Sequence, residues 1–169
     1  MKEQKDWLIA IIIAAVIAFG VRTFIFETYI VDGDSMQPTF QTNNHLIVDK
    51  ISYRLRKPVK GDILVFKYPA DPSRQFIKRV IATEGDTVEI LNGQVIVNDQ
   101  ILSEPYILQK TEDNYHKVTI PAGRIFVLGD NRNNSEDSRF PHVGLVPLEL
   151  IQGKAMLEIW PLDKMRTFQ

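Results

Sequence analysis

The stretch VEILNGQVIV, Val88 to Val97, decides the fold. Two alternating apolar runs flank Asn92-Gly93, and both central positions of a type I′ turn require φ > 0, which Asn and Gly tolerate. The pattern predicts an antiparallel hairpin. Working outward, TYIVDG (28–33), HLIVDKIS (45–52), DILVFKY (62–68), QFIKRVIAT (75–83), DTVEIL (86–91) and QVIVND (94–99) repeat the theme. Each is rich in Val, Ile, Phe or Tyr and is bounded by turn residues, which reads as strand. KVTI (117–120) and RIFVLGD (124–130), divided by Pro121-Ala122-Gly123, add two more, and GKAMLEIW (153–160) a last one. SEPYILQKTEDNYHK (103–117) is polar and weakly patterned and reads as a loop or a small excursion, so that about 86–122 forms an inserted hairpin. The expectation is a mainly β protein, an antiparallel sheet or barrel-like domain over 27–169, with no long helix after the N-terminus.

That N-terminus is different in kind. MKEQKDWLIAIIIAAVIAFGVRTFIF (1–26) opens with a charged head over 1–6 and is then apolar on every helical face from Trp7 to Val21. A bilayer core needs about 20 helical residues, and 7–26 supplies them if Arg22 snorkels to the interface. No small-residue cleavage pattern follows the apolar run, as a removable leader requires. A retained transmembrane helix is expected, and a buried soluble helix is the alternative. Lys2 and Lys5 favour a cytoplasmic N-terminus and an extracytoplasmic remainder, although Arg22 lies on the far side.

The chain has 169 residues, 44% of them apolar, and a net charge of −1. That charge provides no basic field for nucleic acid. There are no cysteines, which excludes disulfides, thiolate metal sites and a cysteine nucleophile.

VDGDSMQPTF (31–40) places Ser35 after glycine and aspartate. A serine hydroxyl needs a base to become nucleophilic at neutral pH. His45, His116 and His142 are the only histidines, and none lies in a setting built for catalysis. A lysine can serve if it is neutral, which requires desolvation or a neighbouring cation. Lys78, in QFIKRVIAT, shares a strand face with Phe76 and Val80, while Arg79 shares the other with Ile77 and Ile81. Two cations in an apolar strand demand either acidic partners or loss of a proton; the alternative is an edge strand whose side chains reach water. LGDNRNNSEDSRFPHVGLV (128–146) offers partners. Asp130 can pair with Arg79 and Asp137 with Arg139, while Ser135 and Ser138 can hold a lysine amine. By composition alone it also reads as a solvated loop.

Taken in order, GDSMQPT (33–39), GDILVFKYP (61–69), KRVIATEGD (78–86) and GDNRNNSEDSR (129–139) behind an apolar N-terminal helix resemble the bacterial type I signal peptidases, in the short single-span form of Gram-positive bacteria. The resemblance implies a serine endopeptidase with a Ser/Lys dyad. Ser35 would be the nucleophile and Lys78 the general base. Ser135 would orient the lysine amine, and Arg79–Asp130 and Asp137–Arg139 would be supporting ion pairs. Met36 and Pro38 would shape the turn around Ser35, whose N–H would be one oxyanion donor. Gram-negative members carry a serine hydroxyl donor where this chain has Gly33, so the second donor is open.

Family members remove signal peptides from exported preproteins after small-x-small sites, most often Ala-x-Ala. By matching position, Tyr29, Val31, Phe40 and Ile77 would line the substrate pockets; core packing is the other reading of each. Trp160 would dip into the membrane interface or pack in the core. The resemblance implies a cell-membrane enzyme, with preproteins and lipid as partners, monomeric, with no cofactor or metal. Self-cleaving Ser/Lys repressors share the dyad but carry a DNA-binding element in place of the apolar helix, and lack the GDNRNNSEDSR box. A membrane-anchored β domain that only binds exported chains would leave the pairing of Ser35 with Lys78 unexplained.

Overall fold

Alternation and turn chemistry account for most of what the chain does after residue 26. The computed structural model describes residues 2–168 and, of the first helix, the side chains of residues 7–20. The predicted hairpin forms in the predicted register: strands β5 (Thr87–Leu91) and β6 (Gln94–Val97) pair Val88 with Val97 and Ile90 with Val95. Asn92 and Gly93 turn the corner at φ +51° and +76°.

The other strands are β1 (Phe26–Ile30), β2 (His45–Asp49), β3 (Ile63–Tyr68), β4 (Asp71–Thr83), β7 (Gln100–Ile101), β8 (Tyr115–Thr119), β9 (Arg124–Leu128), β10 (Val146–Pro147), β11 (Ile151–Trp160) and β12 (Arg166–Thr167). A larger antiparallel sheet runs β1-β2-β11-β3-β4-β9-β10, with β12 paired to β11; a smaller one runs β7-β6-β5-β8. The inserted region is therefore more than a hairpin. It is a four-stranded sheet that shares a core with the larger one, since Val88, Ile90, Val95 and Val97 pack with Ile81 of β4 and with Phe126 and Leu128 of β9. Tyr115 and His116, expected in a loop, belong to β8, which therefore starts two residues before the expected KVTI strand.

A helix, α1, spans Lys2–Phe24, and Phe26 already begins β1, so the expected helical stretch 7–26 stops two residues early. The charged head 1–6 and Arg22, which bear on orientation, lie outside the described side chains. Among the described residues no helix is long and apolar enough to cross a membrane.

Two features of this fold position the site. Strand β4 is flanked by β3, which sets Leu64 opposite Lys78, and by β9, which sets Leu128 opposite Arg79. The chain leaving β9 at Leu128 therefore enters the 129–139 box beside Lys78 and Arg79. A separate apolar cluster of Val31, Met36, Phe40, Leu46, Ile63 and Ala155 forms beneath the loop that follows β1.

Candidate active site

The loop from Val31 to Asn44 is closed at its base by Val31 N–H donating to the Asn44 carbonyl and Asn43 N–H to the Val31 carbonyl, both at 2.9 Å. Met36 and Phe40 are fully buried and fasten it to the core. Ser35 sits on the outer side of this loop and lines a groove of about 810 Å³. Gly33 lines it too, at φ +93°. L side chains rarely adopt that region, so the backbone itself calls for glycine here, and a serine would be strained. Asp34 is exposed and takes hydrogen bonds from Gln37 and Thr42, not from a catalytic partner.

Lys78 reaches Ser35 from β4. Its Nζ donates to Ser35 Oγ at 2.7 Å and to the Ile77 carbonyl at 3.0 Å, and lies 5.2 Å from the centre of the Phe76 ring. Lys78 is only 3% exposed. Burial pushes the amine down to about 8 against the opposing pull of Asp137, Glu136 and Asp130. None of the three histidines lines the groove. His45 starts β2 and tilts against Trp160, His116 stacks on Tyr115, and His142 lies among Tyr68 and Phe140.

The cation next to Lys78 is neutralised by a fork. Arg79 gives Nε to Asp130 Oδ1 at 2.8 Å and Nη2 to Asp130 Oδ2 at 2.7 Å. Asp130 is fully buried and also takes the Thr39 hydroxyl at 2.5 Å. One carboxylate thus joins β4 to the Ser35 loop. Arg139 forks onto buried Asp137 at 2.8 and 3.0 Å, and Asp137 receives the Gly129 N–H at 3.0 Å. Asn131 completes the frame, with its N–H on the Ser35 carbonyl at 3.0 Å and its side-chain amide on the Asp34 carbonyl at 3.1 Å.

The two serines of the box part ways. Ser138 caps β9, taking the Val127 N–H on its hydroxyl at 3.0 Å, and does not hold the lysine. Ser135 lines the groove, but its buried Oγ has no hydrogen-bond partner; the bond to the lysine amine expected of it is not made. Tyr29, Val31 and Ile77 line the groove. Phe40 does not. Its ring turns inward and packs edge-on against Phe168 at 4.8 Å, because the apolar cluster beneath the loop offers it more cover than the groove. Burial, with Glu27 beside it, raises the Tyr29 hydroxyl to about 12, which keeps it protonated in the groove. Trp160 is half-exposed.

Sequence reading missed a second layer. Arg132, nearly inaccessible, forks onto Glu104 at 2.6 and 2.9 Å and gives Nε to the Gly129 carbonyl at 3.0 Å. Tyr106 stacks 4.0 Å from the Arg79 guanidinium. Glu104 and Tyr106 sit in the polar stretch that reads as a loop, and no local pattern pairs Glu104 with Arg132. Removing one partner of a buried pair leaves an uncompensated charge, at a cost of about 3–5 kcal/mol. Glu104→Ala is therefore expected to lower stability by that order in a urea titration, and a change below ~1 kcal/mol would mean that Arg132 is solvated.

Among the described residues no group of three or more His, Cys, Asp or Glu could hold a metal ion. The constellation is a hydroxyl, a buried amine depressed toward neutrality and braced carboxylates, beside a groove lined by strand edges. It is suited to acyl transfer from an extended peptide.

Comparison with known proteins agrees with that chemistry. The family described as "Signal peptidase, peptidase S26" matches residues 4–160. A probable signal peptidase I-2 of Synechocystis sp. is 42% identical over 95% of this chain and 77% of its own length. Signal peptidase I P of Bacillus subtilis subsp. natto is 36% identical over 95% of this chain and 91% of its own. The crystal structure of a signal peptidase I from Enterococcus faecalis V583 superposes with a TM-score of 0.54 at 29% identity, covering 60% of this chain and 98% of that one. The Ser35 loop, strand β4 and the braced box all lie within the matched stretch, and the chain belongs to the signal peptidases of peptidase family S26.

Proposed function

We propose that the chain is a membrane-anchored endopeptidase that removes signal peptides from exported preproteins, cutting after small-x-small sites with Ser35 as nucleophile and Lys78 as general base. The observation that carries this reading is the 2.7 Å contact between Lys78 Nζ and Ser35 Oγ, made by a lysine buried enough for its amine to fall to about 8. In the neutral amine the nitrogen lone pair takes the hydroxyl proton, Ser35 Oγ attacks the scissile carbonyl, and the resulting ammonium returns the proton to the leaving amine. The ester left on Ser35 is then hydrolysed by water that the same amine deprotonates.

The developing oxyanion needs donors aimed at it in advance. Asn131 pulls on the Asp34 carbonyl. In a trans peptide the following N–H points the opposite way, so the Ser35 N–H is turned away from Asn131 and is free of that bond. This supports it as one donor. Ser135 would come into play as an orienting group for the lysine once substrate closes the groove.

Substrate would enter as an extended strand between the edges at Tyr29–Val31 and Gln75–Ile77, with alternate side chains entering pockets. Tyr29, Val31 and Ile77 leave room for small side chains there. The anchor would be α1. At a rise of about 1.5 Å per residue the 23 residues of α1 extend about 35 Å, against a bilayer core of about 30 Å. Trp7, Ile11, Ile13, Val16, Ile17 and Phe19 are each more than half exposed, and together they face all sides of the helix. Lipid is the solvent that would cover them, with the catalytic part outside the cytoplasm.

The test is incubation with a preprotein in detergent or lipid, reading the new N-terminus. Cleavage after an Ala-x-Ala site is expected. Ser35→Ala should abolish it, with a fall of at least about 10³-fold; undiminished cleavage in that variant would remove Ser35 from the mechanism.

A further inference from the structure

The end of the chain returns to the back of the nucleophile loop. Strand β12 pairs with β11 through Leu157–Thr167 and Glu158–Arg166. Arg166 Nε donates to Glu158 Oε2 at 2.9 Å, and Glu158 is fully buried. The neighbouring Nη2 of the same guanidinium donates to the carbonyl of Thr39. Lys164 Nζ reaches Gln41 Oε1 at 3.2 Å, and the Phe168 ring packs edge-on against Phe40. Three side chains of one short segment thus hold three successive residues of the loop that carries Ser35.

Thr39 is the connecting point. Its carbonyl takes Arg166, while its hydroxyl donates to Asp130, and Asp130 holds Arg79, the residue next to Lys78. A continuous set of hydrogen bonds runs from β12 to the strand of the base. A guanidinium suits this place because its fixed fork can satisfy a carboxylate and a carbonyl together, which a lysine ammonium does less well. The Ser35–Lys78 contact depends on the relative placement of the loop and β4, and misplacement of reacting groups by about 1 Å can cost 10²-fold in rate.

We propose that Arg166 is a positioning residue, and that the segment 164–168 is a strap holding the nucleophile loop in register with the base. The proposal rests on the Ser35–Lys78 reading of the site. The strap touches the side of the loop away from the groove, so its loss alters the catalytic step and leaves substrate affinity in place.

The experiment compares Arg166→Ala and Arg166→Lys with the unaltered full chain in detergent, on a peptide containing an Ala-x-Ala site, with melting temperatures taken alongside. Arg166→Ala is expected to lower kcat about tenfold or more, with KM within twofold and the protein fully folded at the assay temperature. Arg166→Lys is expected to recover part of the loss. A kcat within twofold of the unaltered protein, a loss confined to KM, or a loss that matches the unfolded fraction would each overturn the strap. Ser35→Ala and Lys78→Ala are run in parallel. If either keeps activity, the dyad is wrong; if both are inactive and Arg166→Ala is fully active, only the strap is wrong.

Discussion

Replacing Lys78 with methionine or alanine is expected to lower preprotein cleavage by about 10³-fold or more while leaving the fold intact. The reason lies in what the amine alone supplies. No histidine lines the groove, and the nearby carboxylates Asp130 and Asp137 are already engaged by arginines. Among the described residues Lys78 is the group in hydrogen-bond contact with the Ser35 hydroxyl. Methionine is the sharper variant, since it keeps the chain's length and apolar contacts while removing the buried nitrogen. Its melting temperature should not fall by more than a few degrees, because a desolvated amine is costly to bury. Residual activity within tenfold of the parent would show that another base serves.

The same amine sets the pH dependence. Burial lowers it to about 8, and the active form is the neutral one. Below that value each pH unit costs about tenfold in neutral lysine, so kcat/KM should climb with pH and level off above about 8. The group loses activity on acidification, as a base must. A profile flat down to pH 5 would exclude Lys78 as the titrating base.

The second large effect is expected at Gly129. A Cβ built there falls on Ser135 Oγ and lies 2.5 Å from the Ser35 carbonyl. The Ser135 hydroxyl can rotate away, but its Cβ, at 2.6 Å, cannot, and the carbonyl is backbone of Ser35. Relief of the clash requires the Ser35 loop to move away from the 129–139 box, which loosens both Asn131 contacts. Gly129→Ala should therefore reduce kcat by about 10²-fold, with a stability loss of about 1–3 kcal/mol from overpacking. Single-turnover cleavage separates the two effects, since the rate per folded molecule isolates the first. A rate within threefold of the parent would mean that the loop tolerates the displacement.

These positions also separate what was legible from what was not. The strands were legible because alternation is a local property. Val88, Ile90, Val95 and Val97 declare a buried face, and Asn92-Gly93 declares the corner, with no help from the rest of the chain. Lys78 was legible for a related reason: an ionisable group amid apolar neighbours must be paired or neutral. The family pattern then tied it to Ser35, and the carboxylates of Asp130 and Asp137 to their arginines.

What the tertiary structure decided was geometry between distant segments. Ser35 and Lys78 are 43 residues apart, and their contact depends on β4 being flanked by β3 and β9. Phe40 looked as eligible for a substrate pocket as Val31 or Ile77; only the cluster beneath the loop, closed by Phe168 from the far end of the chain, drew it inward. Arg166 found Glu158 through the register of β11 with β12, and Glu104 found Arg132, and Arg166 Thr39, through loops brought together by the sheets, which no local pattern encodes. Sequence by itself determined which residues must be buried and which buried charges need partners, since desolvation acts on each residue where it stands. The choice of partner was left to the packing of the sheets, because a carboxylate is selected by distance, and distance is set by contacts made far away along the chain.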